Sequence, residues 1–146
     1  MSATLLYRIA AVLLVFFGVG HTFGFLNFKP PTPEGLAVLD AMNNVHFQVK
    51  GTSFSYGGFY IGFGLFVTVY SFFSAFLAWH LGSVARKYPQ TIVALGWSFF
   101  AVQVVNLALA LVYFFREPAL FGAVIAACVG LAAQRSGERI GESRRA

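Results

Sequence analysis

Four long runs of apolar residues, each almost free of charged side chains, dominate this sequence. They lie at 4–26, 54–81, 91–115 and 119–134. A helix needs about 20 apolar residues to cross a bilayer core of about 30 Å, and the first three runs supply that length. The fourth run is shorter, and Arg135 can extend it by reaching back toward the membrane interface. The runs predict four transmembrane helices.

Composition excludes a water-soluble domain. Hydrophobic residues make up 58% of the chain and charged residues only 10%, whereas an ordinary globular domain has about 25% charged residues. A chain of 146 residues cannot hide so much apolar surface in its own core, so lipid has to cover it. We predict an all-α integral membrane protein, a four-helix up-down bundle in one domain over 1–135, followed by a polar cytoplasmic tail over 136–146.

The segment 35–50, between the first two runs, mixes polar and apolar side chains at helical spacing. Thr32 is suited to cap a helix there, and Pro33 to occupy its first position. We predict an additional amphipathic helix that lies on the outer surface of the membrane.

Basic residues are distributed unequally between the two sides of this arrangement. The N-terminus, the second loop and the tail contain seven of them: Arg8, Arg86, Lys87, Arg135, Arg139, Arg144 and Arg145. The opposite loops contain Lys29, Lys50 and Arg116. Because cytoplasmic loops carry the excess of positive charge, both termini are expected in the cytoplasm. Basic residues at helix ends do not form a duplex-binding face, so no nucleic acid partner is expected.

Polar side chains in the outer halves of the spans form the candidate site. They are His21 in the first span, Tyr56 and Tyr60 in the second, Gln103, Asn106 and Tyr113 in the third, and Asp40 and His46 in the surface segment. His21, Tyr60 and Asn106 lie roughly 8, 9 and 13 Å below the outer ends of their helices. Polar groups kept apart in hydrocarbon would be left without partners. We therefore predict one ligand-binding cavity lined by these three residues and roofed by Asp40 and His46.

Each candidate also has a structural interpretation, which the sequence leaves open. His21 lies between Gly20 and Gly24, a spacing that permits close helix packing, and can bond to a neighbouring helix. Gln103 and Asn106 can bond between helices in the same way. The tyrosines can anchor the membrane interface, and the two polar residues of the surface segment can act as local caps.

No metal site or resident cofactor is expected. His21 and His80 lie at different depths, so they cannot bracket one haem. A zinc site would require His21, His46 and Asp40 to converge without a recognised ligand spacing.

Three motifs, 18–22, 39–47 and 58–64, resemble an uncharacterised bacterial family of small four-span inner-membrane proteins. In layout the chain is also similar to DoxX-like membrane proteins. The resemblance covers most of 5–134. It implies a multi-pass protein of the bacterial inner (plasma) membrane, and it implies no activity and no catalytic residues.

Two classes of function follow. The first is a non-enzymatic membrane protein, either a binding module for a lipid-like ligand or an accessory subunit of a membrane complex. Its partners would be the bilayer, a lipid-like molecule, another membrane protein or a second copy of the chain. The alternative is a small membrane-embedded enzyme that acts on a lipid, quinone or isoprenoid with His21 as acid/base, although no carboxylate within the spans could assist it.

The charge distribution makes a prediction about orientation that labelling can check. In a variant without Cys128, a cysteine at Asn43 should react with a membrane-impermeant maleimide added outside the cell. A cysteine at Ser136 should react only after the cytoplasmic side is opened. Reaction at position 136 from outside would reverse the orientation.

Overall fold

The structure is a computed structural model that describes residues 1–143, with side chains through residue 138. Over these residues the chain is all-α apart from one short hairpin. Its elements are α1 (Ala3–Leu26), α2 (Pro33–Asn44), β1 (His46–Val49), β2 (Thr52–Ser55), α3 (Tyr56–Lys87), a 3-10 turn (Pro89–Thr91), α4 (Val93–Tyr113) and α5 (Arg116–Ser143). The prediction of a helical bundle with four long apolar helices is confirmed.

Within the described residues, α1, α3, α4 and α5 are long and apolar enough to cross a membrane. In no case is more than 33% of the most apolar stretch of the helix buried by the rest of the protein. The remaining apolar surface needs a cover that is not water, since hydration of so much apolar area is unfavourable. The helices are those of a multi-pass membrane protein.

The last helix is longer than its predicted span of 119–134. It begins at Arg116. Pro118 permits this start because it falls in the first turn, where a missing N–H breaks no helical bond. It continues to Ser143, and Gln134 Nε2 donates to Glu138 Oε1 at 3.0 Å one turn further on.

The predicted tail over 136–146 is therefore helical through Ser143. Arg144, Arg145 and the side chain of Arg139, which entered the charge count, lie outside the described residues. Ser136 is fully buried and donates to Ala132 O at 2.9 Å. The exposed neighbour Arg135 is therefore the better labelling position.

The chain comprises two compact units: residues 1–17 with the chain from Ser71 onward, and residues 18–70. In the first unit, parts of all four long helices meet in one core. Its members include Tyr7 of α1, Leu81 of α3, Phe99 of α4 and Val129 of α5, and buried alanines fill the space around them. Alanine-rich contacts let helix backbones approach closely, as membrane helices favour.

Two glycines make room for Tyr7, which is completely buried. A Cβ at Gly82 of α3 would lie 3.1 Å from Thr4 O and 3.2 Å from Tyr7 Cβ. A Cβ at Gly96 of α4 would collide with the Tyr7 hydroxyl and lie 3.2 Å from Ala133 Cβ. The packing of α1 against its neighbours in this unit therefore favours glycine at both positions, and most strongly at Gly96.

The second unit contains the later part of α1, α2, the hairpin and the first part of α3. Thr32 caps α2 as predicted, since its hydroxyl accepts from Gly35 N at 3.1 Å, and Pro33 is the first helical residue. Among the described residues 18–70, only Gly18 and Gly57 are buried. This unit consequently has little apolar core of its own.

The prediction of a helix over the whole of 35–50 is wrong beyond Asn44. Residues 46–49 pair antiparallel with 52–55, with His46 opposite Ser55 and Val49 opposite Thr52. Lys50 and Gly51 both adopt positive φ, 49° and 81°, as the central residues of a type I′ hairpin turn do. Polar and apolar side chains alternate over His46–Val49. This alternation and the turn favour a hairpin over the helix that the spacing of 35–50 predicted.

Aromatic rings join the hairpin to α3. The Phe47 ring centroid lies 4.9 Å from that of Tyr56 and 5.2 Å from that of Phe59. Phe54, on the second strand, lies 6.1 Å from both Phe47 and Phe59. A two-stranded hairpin is marginal alone, so these ring contacts hold it in place.

The glycines predict opposite effects of one substitution. Gly96→Ala should destabilise the protein by about 1–3 kcal/mol, because the methyl group overpacks the Tyr7 contact. Gly20→Ala should be neutral or stabilising by up to about 1 kcal/mol, because nothing lies within 4 Å of a Cβ there and alanine favours the helix. Thermal unfolding of dilute monomer in detergent measures both. Equal destabilisation by the two variants would contradict the packing described here.

Candidate functional site

His21 forms a bond between helices in the second unit. Its Nε2 lies 3.1 Å from Gly64 O of α3, and because a carbonyl only accepts, the ring nitrogen donates. The imidazole stacks on Phe25 with centroids 5.0 Å apart. A Cβ at Gly64 would lie 2.5 Å from the Phe25 ring, so glycine at 64 is needed for this arrangement.

Two threonines extend the same contact: Thr22 directly follows His21 on α1, and Thr68 lies one turn after Gly64 on α3. Thr22 Oγ1 and Thr68 Oγ1 are 2.7 Å apart, and Thr22 Oγ1 donates to Gly18 O at 2.7 Å. Thr68 Oγ1 also lies 3.2 Å from Gly64 O, so two hydroxyl protons serve three contacts and either hydroxyl can donate to the other. His21, Thr22, Gly64 and Thr68 together are called the polar clamp below. The clamp joins α1 to α3 in a part of the chain with little apolar core.

Tyr60 and His21, two members of the predicted cavity, both contact Phe25. The Tyr60 ring meets Phe25 edge-on with centroids 6.4 Å apart, and Tyr60 is 48% exposed. The structure therefore brings these two residues to one aromatic ring. His21 also makes the bond to a neighbouring helix that its structural interpretation expects.

The residues predicted to roof the cavity make local contacts. Asn44 Nδ2 donates to Asp40 Oδ1 at 2.9 Å, and His46 Nδ1 donates to Asn44 O, also at 2.9 Å. Asp40 and His46 are both exposed, and Tyr56 packs on Phe47 as described above. These bonds lie at the end of α2 and the start of the hairpin. They agree with the interpretation of Asp40 and His46 as local caps.

The three candidates on α4 belong to the first unit. Gln103 is buried at 4% exposure, Asn106 is half-buried, and Tyr113 at the end of the helix is 73% exposed. A cavity shared by these residues and the second unit stays a prediction. In the part of the chain that the structure describes, no three His, Cys, Asp or Glu side chains are placed to hold a metal ion.

The glycines of the second unit fall into two groups. Gly57 and Gly64 are packed: a Cβ at Gly57 would lie 3.2 Å from Met42 O, and one at Gly64 would meet Phe25. Gly20, Gly24 and Gly62 are open, with no atom within 4 Å of a Cβ. Gly20 and Gly24 share one face of α1 with three exposed side chains: Phe16, Val19 and Phe23. These five residues are called the glycine face of α1.

Comparison of the chain with protein-family models, curated proteins and solved structures finds no match. The resemblance of its motifs to small four-span bacterial proteins therefore stays a prediction from sequence.

The polar clamp predicts an energetic coupling between Thr22 and Thr68. In a double-mutant cycle with Thr22→Val and Thr68→Val, the coupling should be about 0.6 kcal/mol and no more than about 1.7 kcal/mol, the range for membrane hydrogen bonds. Unfolding in mixed micelles measures it. The control cycle pairs Thr22→Val with Ser98→Ala, because Ser98 bonds within its own helix to Ala94 O. Absence of coupling between Thr22 and Thr68, or coupling of equal size in the control, would refute the clamp.

Proposed function

We propose that this chain is a non-enzymatic subunit of the bacterial inner membrane, with both termini in the cytoplasm, that packs the glycine face of α1 against another transmembrane helix. The partner helix belongs either to a different membrane protein, for which this chain is an accessory subunit, or to a second copy. The observation that supports this is the open space at Gly20 and Gly24.

Gly20 and Gly24 lower the stability of helix α1, and the protein itself makes no contact there that compensates for this loss. Each glycine within a helix destabilises it by about 1 kcal/mol relative to alanine. Gly57, Gly64, Gly82 and Gly96 compensate by admitting a neighbouring group closer than a side chain would allow. Gly20 and Gly24 admit no such group. Approach of an outside helix, which small residues four positions apart favour, would supply the missing contact.

The side chains around these glycines suit the same role. Phe16 is 64% exposed, Val19 54% and Phe23 72%. They rim the two glycines with apolar surface, so a partner helix would pack closely at the centre and gain dispersion contacts at the edges. The polar clamp faces α3 and leaves this side of α1 free of polar groups.

The enzyme alternative has less support. An acid/base histidine needs a proton path to its substrate, whereas His21 Nε2 is directed at Gly64 O and its ring is stacked on Phe25. Both contacts suit a histidine that holds two helices together.

Site-specific photo-crosslinking in native membranes tests the proposal. Benzoylphenylalanine at Phe23 should give an adduct of one defined mass. The same probe at Val112 of α4, which is equally exposed at 71%, should give only diffuse lipid and background adducts. Mass spectrometry of the Phe23 adduct distinguishes a second copy from a different protein.

A matched pair of variants separates a specific interface from general crowding. Gly20→Leu with Gly24→Leu should abolish the Phe23 adduct, because the leucines hold the helices apart. Ala101→Leu with Ala108→Leu places the same two leucine side chains at exposed positions of α4 and should leave the adduct intact. Persistence of the adduct in the glycine variant, or its loss in both, would contradict the proposal.

A further inference from the structure

An apolar groove runs between α1 and α3 in the first unit. It has a volume of about 300 Å³ and is lined mainly by Ala11, Val12 and Val15 of α1 and by Phe72, Phe76 and Trp79 of α3. This volume is at the lower end of the range for ligand pockets. The groove is open on one side and is lined by about one turn of α1 and about two turns of α3, a form that suits a chain-like apolar molecule.

The depth of the groove comes from a small residue on each helix. Ala11 is 4% exposed and Ala75, which also lines the groove, is 5% exposed, so they form its floor. Val12, Phe76 and Trp79 are 47%, 67% and 49% exposed and form its rims. Every lining side chain is therefore apolar or aromatic, and methylene groups are the chemistry that such a surface accepts.

The positively charged side chain of Arg8 lies at one end of the groove. The Arg8 guanidinium carbon is 4.6 Å from the centroid of the Trp79 ring, and Arg8 is about one turn from Ala11 and Val12 on α1. Its Nε is enclosed and has no hydrogen-bond partner among the described residues. A ligand cannot reach this enclosed nitrogen, so an oxyanion would pair with the two Nη groups of the guanidinium, which carry four N–H donors.

Arg8 also lies at a suitable depth for a lipid headgroup. It is five residues after the start of α1 at Ala3, or roughly 8 Å along the helix. Arginine at such a position extends its charged end toward the interface while its stem stays in the apolar region. The groove runs from this point toward the centre of the helix, the direction that an acyl chain follows from its headgroup.

We propose that the groove binds one phospholipid with a net negative headgroup, its phosphate paired with Arg8 and one acyl chain along Ala11 and Ala75. Trp79 holds the guanidinium in place through its ring face, where a cation is attracted to the aromatic quadrupole. The charge of Arg8 selects the anionic headgroup, and the alanine floor accepts the chain without selecting its length.

The test uses Trp79 as a reporter, because it lines the groove. The chain has two tryptophans, so Trp97→Phe leaves Trp79 as its only tryptophan, and excitation at the red edge of the absorption band avoids the tyrosines. In vesicles, brominated phosphatidylglycerol should quench Trp79 about fivefold more effectively than brominated phosphatidylcholine, which corresponds to one basic side chain at the membrane surface.

Three variants make the result specific. Arg8→Gln should make quenching by the two lipids equal, Arg8→Lys should retain most of the preference, and Arg86→Gln, which removes an exposed charge at the end of α3, should retain all of it. Unchanged quenching by phosphatidylcholine in Arg8→Gln would show that the fold is intact. Equal quenching in the parent protein, or the same loss of preference in Arg86→Gln, would overturn the proposal.

Discussion

The packing of this protein depends on how closely its helices can approach one another. Lipid is as apolar as the side chains of the spans, so no hydrophobic force drives one helix against the next within a membrane. Dispersion contacts and hydrogen bonds have to do so, and both act only at short range. Where Tyr7 enters the space left by Gly82 and Gly96, the first unit achieves that proximity with small residues alone. Its alanine-lined core is the consequence.

The second unit achieves the same proximity by another means. It has almost no buried side chains, and the contact between α1 and α3 rests on hydroxyl, imidazole and carbonyl groups. A polar group that left this contact would face hydrocarbon and lose its partner, which costs several kcal/mol. The polar clamp therefore fixes the rotation of α1 about its axis. With His21 and Thr22 toward α3, the Cβ positions of Gly20 and Gly24 have no atom within 4 Å.

Local pattern was enough to predict the four long helices, the capping of α2 by Thr32, and the choice of His21 as a residue of interest. Hydropathy and helix-end chemistry are properties of neighbouring residues, so the sequence expresses them directly. The hairpin was missed because residues 46–49 fit the helical period, although Lys50–Gly51 between Val49 and Thr52 was the available signal. The clamp partner Thr68 was missed for a different reason. Any threonine in a helix can bond to its own carbonyls, and the pairing with Thr22 depends on the register of two helices that lie far apart in sequence. The meeting of Arg8 and Trp79 depends on the same kind of register.

The ring contacts between the hairpin and α3 affect how the outer segment would move. Phe47 touches Tyr56 and Phe59, which lie in the first turn of α3, and Phe54 touches Phe59 as well. Tyr56 follows directly on the second strand, and its N–H donates to Val45 O just before the first strand. The strands are thus fixed to the helix at both their beginning and their end. A rotation of this end of α3 would move the hairpin with it as a rigid body. The Lys50–Gly51 turn lies at the far end of the hairpin, so a small rotation of the helix would produce a larger displacement of the turn.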